Sequence, residues 1–119
     1  SIIAPISSMS QKLRNYLNSE NKFIFDFGLH INGKKKIAIY KNYCSVPKPL
    51  VLFYSLSIAI SARANRIYLA GFDGYGKNDK RTKVVNELLL NYSSHKKSKP
   101  IICVTPTSYS FTSTSIYAL

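Results

Sequence analysis

Residues 50–64, Leu-Val-Leu-Phe-Tyr-Ser-Leu-Ser-Ile-Ala-Ile-Ser-Ala-Arg-Ala, are the most apolar stretch of the chain, and their length limits what it can become. About 13 residues of this run precede Arg63, short of the roughly 20 that a helix needs to cross a bilayer. Ser55, Ser57 and Ser61 interrupt it as well. The stretch therefore reads as a helix buried against other elements, not as a membrane span. Pro49, just before it, suits the first turn of a helix, where no backbone N–H is required.

Beyond this helix, Arg66-Ile-Tyr-Leu-Ala-Gly71 reads as a compact strand, and Phe72-Asp73-Gly74-Tyr75-Gly76 as the loop after it. Asp79 is placed to cap a helix from residue 80 to about residue 92, on which Val84, Val85, Leu88, Leu89 and Tyr92 form one apolar face. A polar, basic loop over 93–99 leads to an apolar strand over 100–104, which Thr105-Pro106-Thr107 stops. Residues 108–119 are rich in Ser and Thr and show no period. Helix, strand, helix, strand over 49–105 implies a parallel sheet with right-handed crossovers.

The first part of the chain has a different rhythm. Phe23, Phe25, Phe27, Leu29 and Ile31 alternate with Ile24, Asp26, Gly28 and His30, the period of a half-buried strand. Asn32-Gly33 comes next, a dipeptide suited to a type I′ turn, and residues 36–40 return as a second strand. Residues 22–41 are thus expected to be a β-hairpin. Residues 2–6 are a short apolar run, and residues 10–18 carry one weak helical stripe through Leu13 and Leu17. Residues 1–21 are read as a linker or extension, and 22–119 as a single domain. The expected class is α/β: a small Rossmann-like three-layer fold, mostly parallel, with the hairpin added at or beside an edge. There is no internal repeat.

Composition narrows the function classes. In 119 residues there are 17 Lys+Arg against 5 Asp+Glu, a net charge of +12, with nine tyrosines and six phenylalanines. That aromatic and aliphatic content excludes a disordered chain. Five carboxylates argue against a paired-acid hydrolase. The basic residues cluster at Lys34–Lys36, at Lys77, Lys80, Arg81 and Lys83, and at Lys96, Lys97 and Lys99, with no long basic helix and no RNA-recognition sheet motif. A solvated lysine-rich surface is the plain reading, a phosphate or nucleotide pocket the next, and nucleic-acid binding the last. Cys44 and Cys103 have no metal-ligand spacing and read as reduced core residues, which suits a cytoplasmic protein. His30 and His95 have no acid or nucleophile placed beside them in the sequence. No metal and no cofactor is called for. The first residue is serine, so the chain is expected to be a piece of a longer protein.

The loop after the central strand carries the sharpest hypothesis. In open α/β sheets, ligands gather beyond the carboxyl ends of the strands. Gly71, Gly74 and Gly76 allow backbone N–H groups to approach an anion at the start of the next helix. Asp73 can take a ribose hydroxyl or a metal, Tyr75 can donate to a phosphate, and Lys77, Lys80 and Arg81 can neutralise it. Thr105 and Thr107, on the same sheet edge, can add hydroxyl contacts. The alternative is structural: glycines that make a turn, an aspartate that caps local N–H groups, and a tyrosine packed on the sheet edge. The spacing G-x-x-G-x-G is not the dinucleotide fingerprint.

Val46-Pro-Lys-Pro-Leu50, Phe53-Tyr-Ser-Leu-Ser-Ile-Ala59, Arg66-Ile-Tyr-Leu-Ala-Gly-Phe-Asp-Gly-Tyr75, Asp79, Arg81, Asn86-Glu87-Leu88 and Val104-Thr-Pro-Thr-Ser-Tyr109 together carry a resemblance. The chain resembles, over about residues 37–118, the C-terminal domain of bacterial proteins whose N-terminal part is a barrel like that of 4-hydroxy-2-oxovalerate aldolase. The resemblance implies a role in surface-carbohydrate metabolism, a barrel partner in the same protein, and no complete active site in this chain. More distantly, the helix–strand–loop is similar to bacterial lipooligosaccharide sialyltransferases, which implies that Tyr75 holds the phosphate of a CMP-sugar. The expected ligand is a phosphorylated or nucleotide-linked sugar bound by Gly71, Asp73, Gly74, Tyr75, Gly76, Arg81, Thr105 and Thr107. The rivals are a sialyltransferase-like enzyme fragment and a non-catalytic module that docks on a barrel or dimerises, the latter suggested by the excess of Phe23, Phe25 and Phe27.

Overall fold

Three helices and several short strands alternate along the chain, giving a mixed α/β fold with no closed barrel among the described residues. The computed structural model describes residues 1–19, 23–34, 36–76 and 78–118. The chain divides into two units, Ser1–Ser61 and Ala62–Leu119.

The first unit runs β1 (Ile2–Ala4), a 3-10 turn (Ile6–Ser8), α1 (Gln11–Ser19), β2 (Ile24–Asp26), β3 (Gly28–Ile31), β4 (Ala38–Ile39), β5 (Tyr43–Val46) and α2 (Val51–Ser61). The stretch 1–21, expected as a linker or an N-terminal extension, contributes a strand and a nine-residue helix. β1 pairs in parallel with β2, Ile3 opposite Phe25. β5 is the centre of a second sheet, parallel to β3 on one side and antiparallel to β4 on the other.

The expected hairpin over 22–41 does not form. β3 and β4 flank β5 instead of pairing with each other. A type I′ turn needs positive φ at both central residues. Gly33 has φ 62°, but Arg63 is the positive-φ residue other than glycine among the described residues, so Asn32 stays on the ordinary side. Asn32 is engaged otherwise. Its side-chain oxygen accepts from Lys34 N at 2.8 Å, its Nδ2 donates to Lys36 O and Ser45 Oγ, and its backbone N–H extends the β3–β5 pairing to Val46 O. β5 lies between the two arms. Lys22 and Lys35, within the expected hairpin, lie outside the described residues.

α2 buries Phe53, Leu56, Ser57 and Ile60, one face at spacings of three, one and three, and packs on β4 and β5. The buried Ser57 hydroxyl donates to Phe53 O one turn back at 2.7 Å, so its burial leaves no polar atom unpaired. Cys44 and Val46, fully buried on β5, complete this core.

The second unit contains β6 (Ile67–Leu69), α3 (Lys80–Ser93), β7 (Ile101–Cys103), β8 (Thr112–Ser113) and a 3-10 turn (Ile116–Ala118). Its sheet is parallel throughout, in the order β6-β7-β8. α3 connects β6 to β7, and Val85, Leu88 and Tyr92 form its buried face. Among the described residues, antiparallel pairing is found between β4 and β5, in the first unit, and not between the two arms of the expected hairpin. No described helix is long and apolar enough to cross a membrane.

Candidate functional site

The site is built where β6 and β7 end. Their parallel pairing brings the loops after both strands to one edge of the second unit. Val104 N donates to Leu69 O at 2.9 Å, Gly71 N to Thr105 Oγ1 at 2.8 Å, and Ser108 N to Asp73 O at 2.8 Å. Gly71 (φ 67°) and Gly74 (φ 95°) adopt a backbone that other residues rarely hold, and this lets 71–76 fold back onto 105–109. At Gly74 a Cβ would overlap the Ser108 hydroxyl and lie 2.9 Å from the Tyr109 ring, so the close approach excludes any side chain.

The loop then feeds α3. Gly76 O accepts from Asp79 N at 2.9 Å and from the Thr82 hydroxyl at 3.0 Å. Asp79, in extended backbone, caps the helix by accepting from Arg81 N at 2.8 Å. The same carboxylate takes Arg81 Nε at 3.0 and 3.1 Å and Nη2 at 2.6 Å. Arg81's side-chain hydrogen bonds, followed by its backbone N–H, hold the Asp79 carboxyl down at about 2. Asp79 in turn raises the Arg81 guanidinium, whose Cζ lies 4.0 Å from the centre of the Tyr75 ring.

The sequence-predicted residues are therefore partly gathered. Gly71 and Thr105 meet directly, although their bond uses the Gly71 N–H that was expected to face an anion. Tyr75 and Arg81 stack, with Tyr75 38 % exposed. Asp73 is exposed, and among the described residues its carboxylate has no hydrogen-bond partner. Thr107 Oγ1 accepts from Tyr109 N at 3.3 Å, a local turn contact. Gly76 takes part through its carbonyl. Lys77 lies outside the described residues.

Sequence reasoning missed Asp79 as the partner of Arg81, and Ser108 and Tyr109 as the floor under Gly74. The i, i+2 spacing of Asp79 and Arg81 at a helix start was a usable signal; for the floor there was none. Phe72, Tyr109 and Phe111 form an aromatic cluster beneath the loop, Phe72 stacked on Tyr109 at 5.1 Å between ring centres.

The remaining candidates have structural surroundings. Burial raises the Cys44 and Cys103 thiols, which disfavours the thiolate a nucleophile needs. His95 is lowered by burial and then by Lys97, and its Nδ1 accepts from Lys97 N at 3.2 Å. His30 Nδ1 lies 3.0 Å from Ser45 Oγ, opposite it across the β3–β5 pair. No three potential metal ligands cluster among the described residues. A groove of ≈ 590 Å3 in the second unit, between α3 and the starts of β7 and β8, is lined by Leu90, Lys99, Ile101 and Phe111 among others and includes no residue of 71–76.

Comparison of the chain with protein-family models, curated proteins and solved structures finds no match.

Proposed function

We propose that the chain is a Rossmann-like C-terminal domain of a bacterial aldolase-like protein of surface-carbohydrate metabolism, and that its second unit binds a phosphorylated or nucleotide-linked sugar. The observation that carries the reading is the parallel β6–β7 pair, which delivers exposed Asp73, Tyr75 and Arg81 on one rim at the carboxyl ends of the strands. Tyr75 and the Arg81 edge not used by Asp79 take the phosphate, and Asp73 accepts from a sugar hydroxyl. Catalysis belongs to a barrel elsewhere in the protein, because this rim offers neither an activated nucleophile nor a paired acid and base.

Calorimetry with CMP, CDP and UDP-sugars tests it. Binding heat for at least one, reduced in Asp73→Asn and Tyr75→Phe, is the expected result; no heat with any of them overturns the reading.

A second reading, a self-associating module, draws on the first unit. Ile3, Phe23 and Phe25 are 47, 79 and 59 % exposed on or beside the two-stranded parallel sheet, and parallel sheets are ordinarily covered on both faces. Sedimentation that shows a concentration-dependent dimer, lost in Phe25→Ser, would favour this reading.

A further inference from the structure

The sheet β3-β5-β4 has two unlike faces. α2 packs on β4 and β5, and Ile39, Cys44 and Val46 are the buried residues of those strands. Side chains alternate along a strand, so Tyr43 and Ser45 on β5, with Gly28 and His30 opposite them on β3, belong to the other face. Tyr40, one residue past buried Ile39, joins them. On this face Tyr40 and Tyr43 are 47 and 40 % exposed, and His30 is exposed as well.

Strand pairing sets three of these positions in a row. Tyr40 N donates to Tyr43 O at 3.0 Å, which continues the β4–β5 pairing, and the two rings stack with centres 4.2 Å apart and planes within 10°. Tyr40 therefore covers one face of the Tyr43 ring. On the other side of Tyr43 the neighbouring strand presents Gly28, which has no side chain. The atoms nearest to a Cβ there would be Tyr43 Cβ at 2.9 Å, then Asn42 O and Tyr43 Cα at 3.8 Å, none of them from a ring. The turn that carries the stack is fastened: the Ser61 hydroxyl shares its proton between Tyr40 O and Lys41 O, at 2.8 and 2.7 Å.

The surroundings suit an anion. From Gly28 to Val46 the chain has four lysines and no aspartate or glutamate. Lys36 and Lys41 flank β4 and are exposed. Two residues along from Gly28, the polar neighbours are held in place. Asn32 Nδ2 donates to Ser45 Oγ at 2.9 Å, and His30 Nδ1 lies 3.0 Å from the same oxygen. That leaves His30 Nε2 without a partner among the described residues.

We propose that this face of the first unit binds single-stranded nucleic acid, a base stacking on Tyr43 over Gly28 as the third member of the row, with Lys36 and Lys41 on the flanking phosphates. Bases in a single strand offer their flat faces to aromatic side chains, whereas those in a duplex keep them against one another. The lysines supply the attraction for the backbone, and the tyrosines distinguish a nucleic acid from any other polyanion. The inference does not rest on the reading of the rim in the second unit.

The test is fluorescence anisotropy of the full chain with labelled oligothymidylate and oligouridylate of about ten nucleotides, with heparin as a polyanion that has no bases. Tyr43→Ser is expected to weaken binding of both oligonucleotides on the order of tenfold, Tyr43→Phe to preserve it, and neither to change heparin binding. Lys41→Gln is expected to lower the slope of log affinity against log salt by about 0.7. Oligonucleotide affinities equal in wild type and Tyr43→Ser overturn the inference, because charge alone would then explain binding; so does the absence of binding at low salt. A second measurement needs no variant to fold: irradiation of the wild-type chain with a 5-iodouracil-substituted oligonucleotide should attach it at Tyr40 or Tyr43, located by mass spectrometry. Attachment confined to residues outside 28–46 overturns the inference. Each of these failures leaves the sugar-nucleotide reading of the rim to its own calorimetric test.

Discussion

Tyr92→Phe offers a quantitative check on how the second unit is held. Tyr92 is 3 % exposed near the end of α3, and its hydroxyl donates to Lys99 O at 3.0 Å while accepting from Lys99 N at 3.1 Å. One oxygen therefore satisfies both backbone groups of the residue that leads, through Pro100, into β7. Removing it keeps the ring and its apolar contacts but strands two partly buried backbone groups. At about 1 kcal/mol for each, the loss is about 2 kcal/mol. With a urea m-value of about 1–1.5 kcal/mol/M, the midpoint should fall by roughly 1.5 M with m unchanged. Urea titration followed by circular dichroism measures this. A midpoint within about 0.3 M of wild type would refute the reasoning, since it would mean that water replaces the hydroxyl at Lys99 without cost. The clamp also has a pH signature. Burial raises the Tyr92 phenol above its ordinary value of 10.0, against the lowering effect of the Lys99 bond. Its stabilisation is complete below pH 10.0 and is lost as pH rises through the higher folded value.

The same geometry sets other expectations. Asp79 should titrate at about 2 in the folded chain against 3.8 unfolded, so its contribution is present above 3.8 and disappears as pH falls through about 2. Carboxyl NMR shifts should show this, and Arg81→Gln should return the midpoint toward 3.8; a wild-type midpoint already at 3.8 would contradict the pairing. Tyr54 donates to Phe27 O at 2.6 Å and is pushed up to about 12, by burial first and then by Cys44 and Asp26. Alkaline absorbance titration should therefore lose its last step in Tyr54→Phe, and the stabilisation it reports should hold below 10.0 and vanish through about 12. Leu56→Ala, at a site 2 % exposed in the α2 core, should cost roughly 3 kcal/mol in chemical denaturation. Gly74→Ala should destabilise the second unit, because its φ of 95° and the Tyr109 ring 2.9 Å from the new Cβ both oppose a side chain; an unchanged melting temperature would contradict the packing of the loop.

The candidate rim was half legible. Gly71, Asp73, Tyr75 and Arg81 lie close in the chain, and their order after a strand was enough to single them out. Thr105 could be assigned to the same edge from the strand pattern alone. The bond that joins it to Gly71, and the Ser108–Tyr109 floor beneath Gly74, arise from residues more than 30 positions apart. Nothing periodic marks Tyr109 in a tail of serines and threonines.

What the chain alone determined are its local elements. The apolar face of α3, its Asp79 cap and the short length of α2 are written in residues a few positions apart, where hydrogen bonds and spacing act without outside help. Strand partners were decided only by the tertiary structure. The Phe23-to-Ile31 alternation and Asn32-Gly33 were consistent with a hairpin, yet β5 lies between its two arms. A strand's pattern states which face seeks burial but not which neighbour will share its backbone bonds, and that choice is made by all the chain's competing contacts at once.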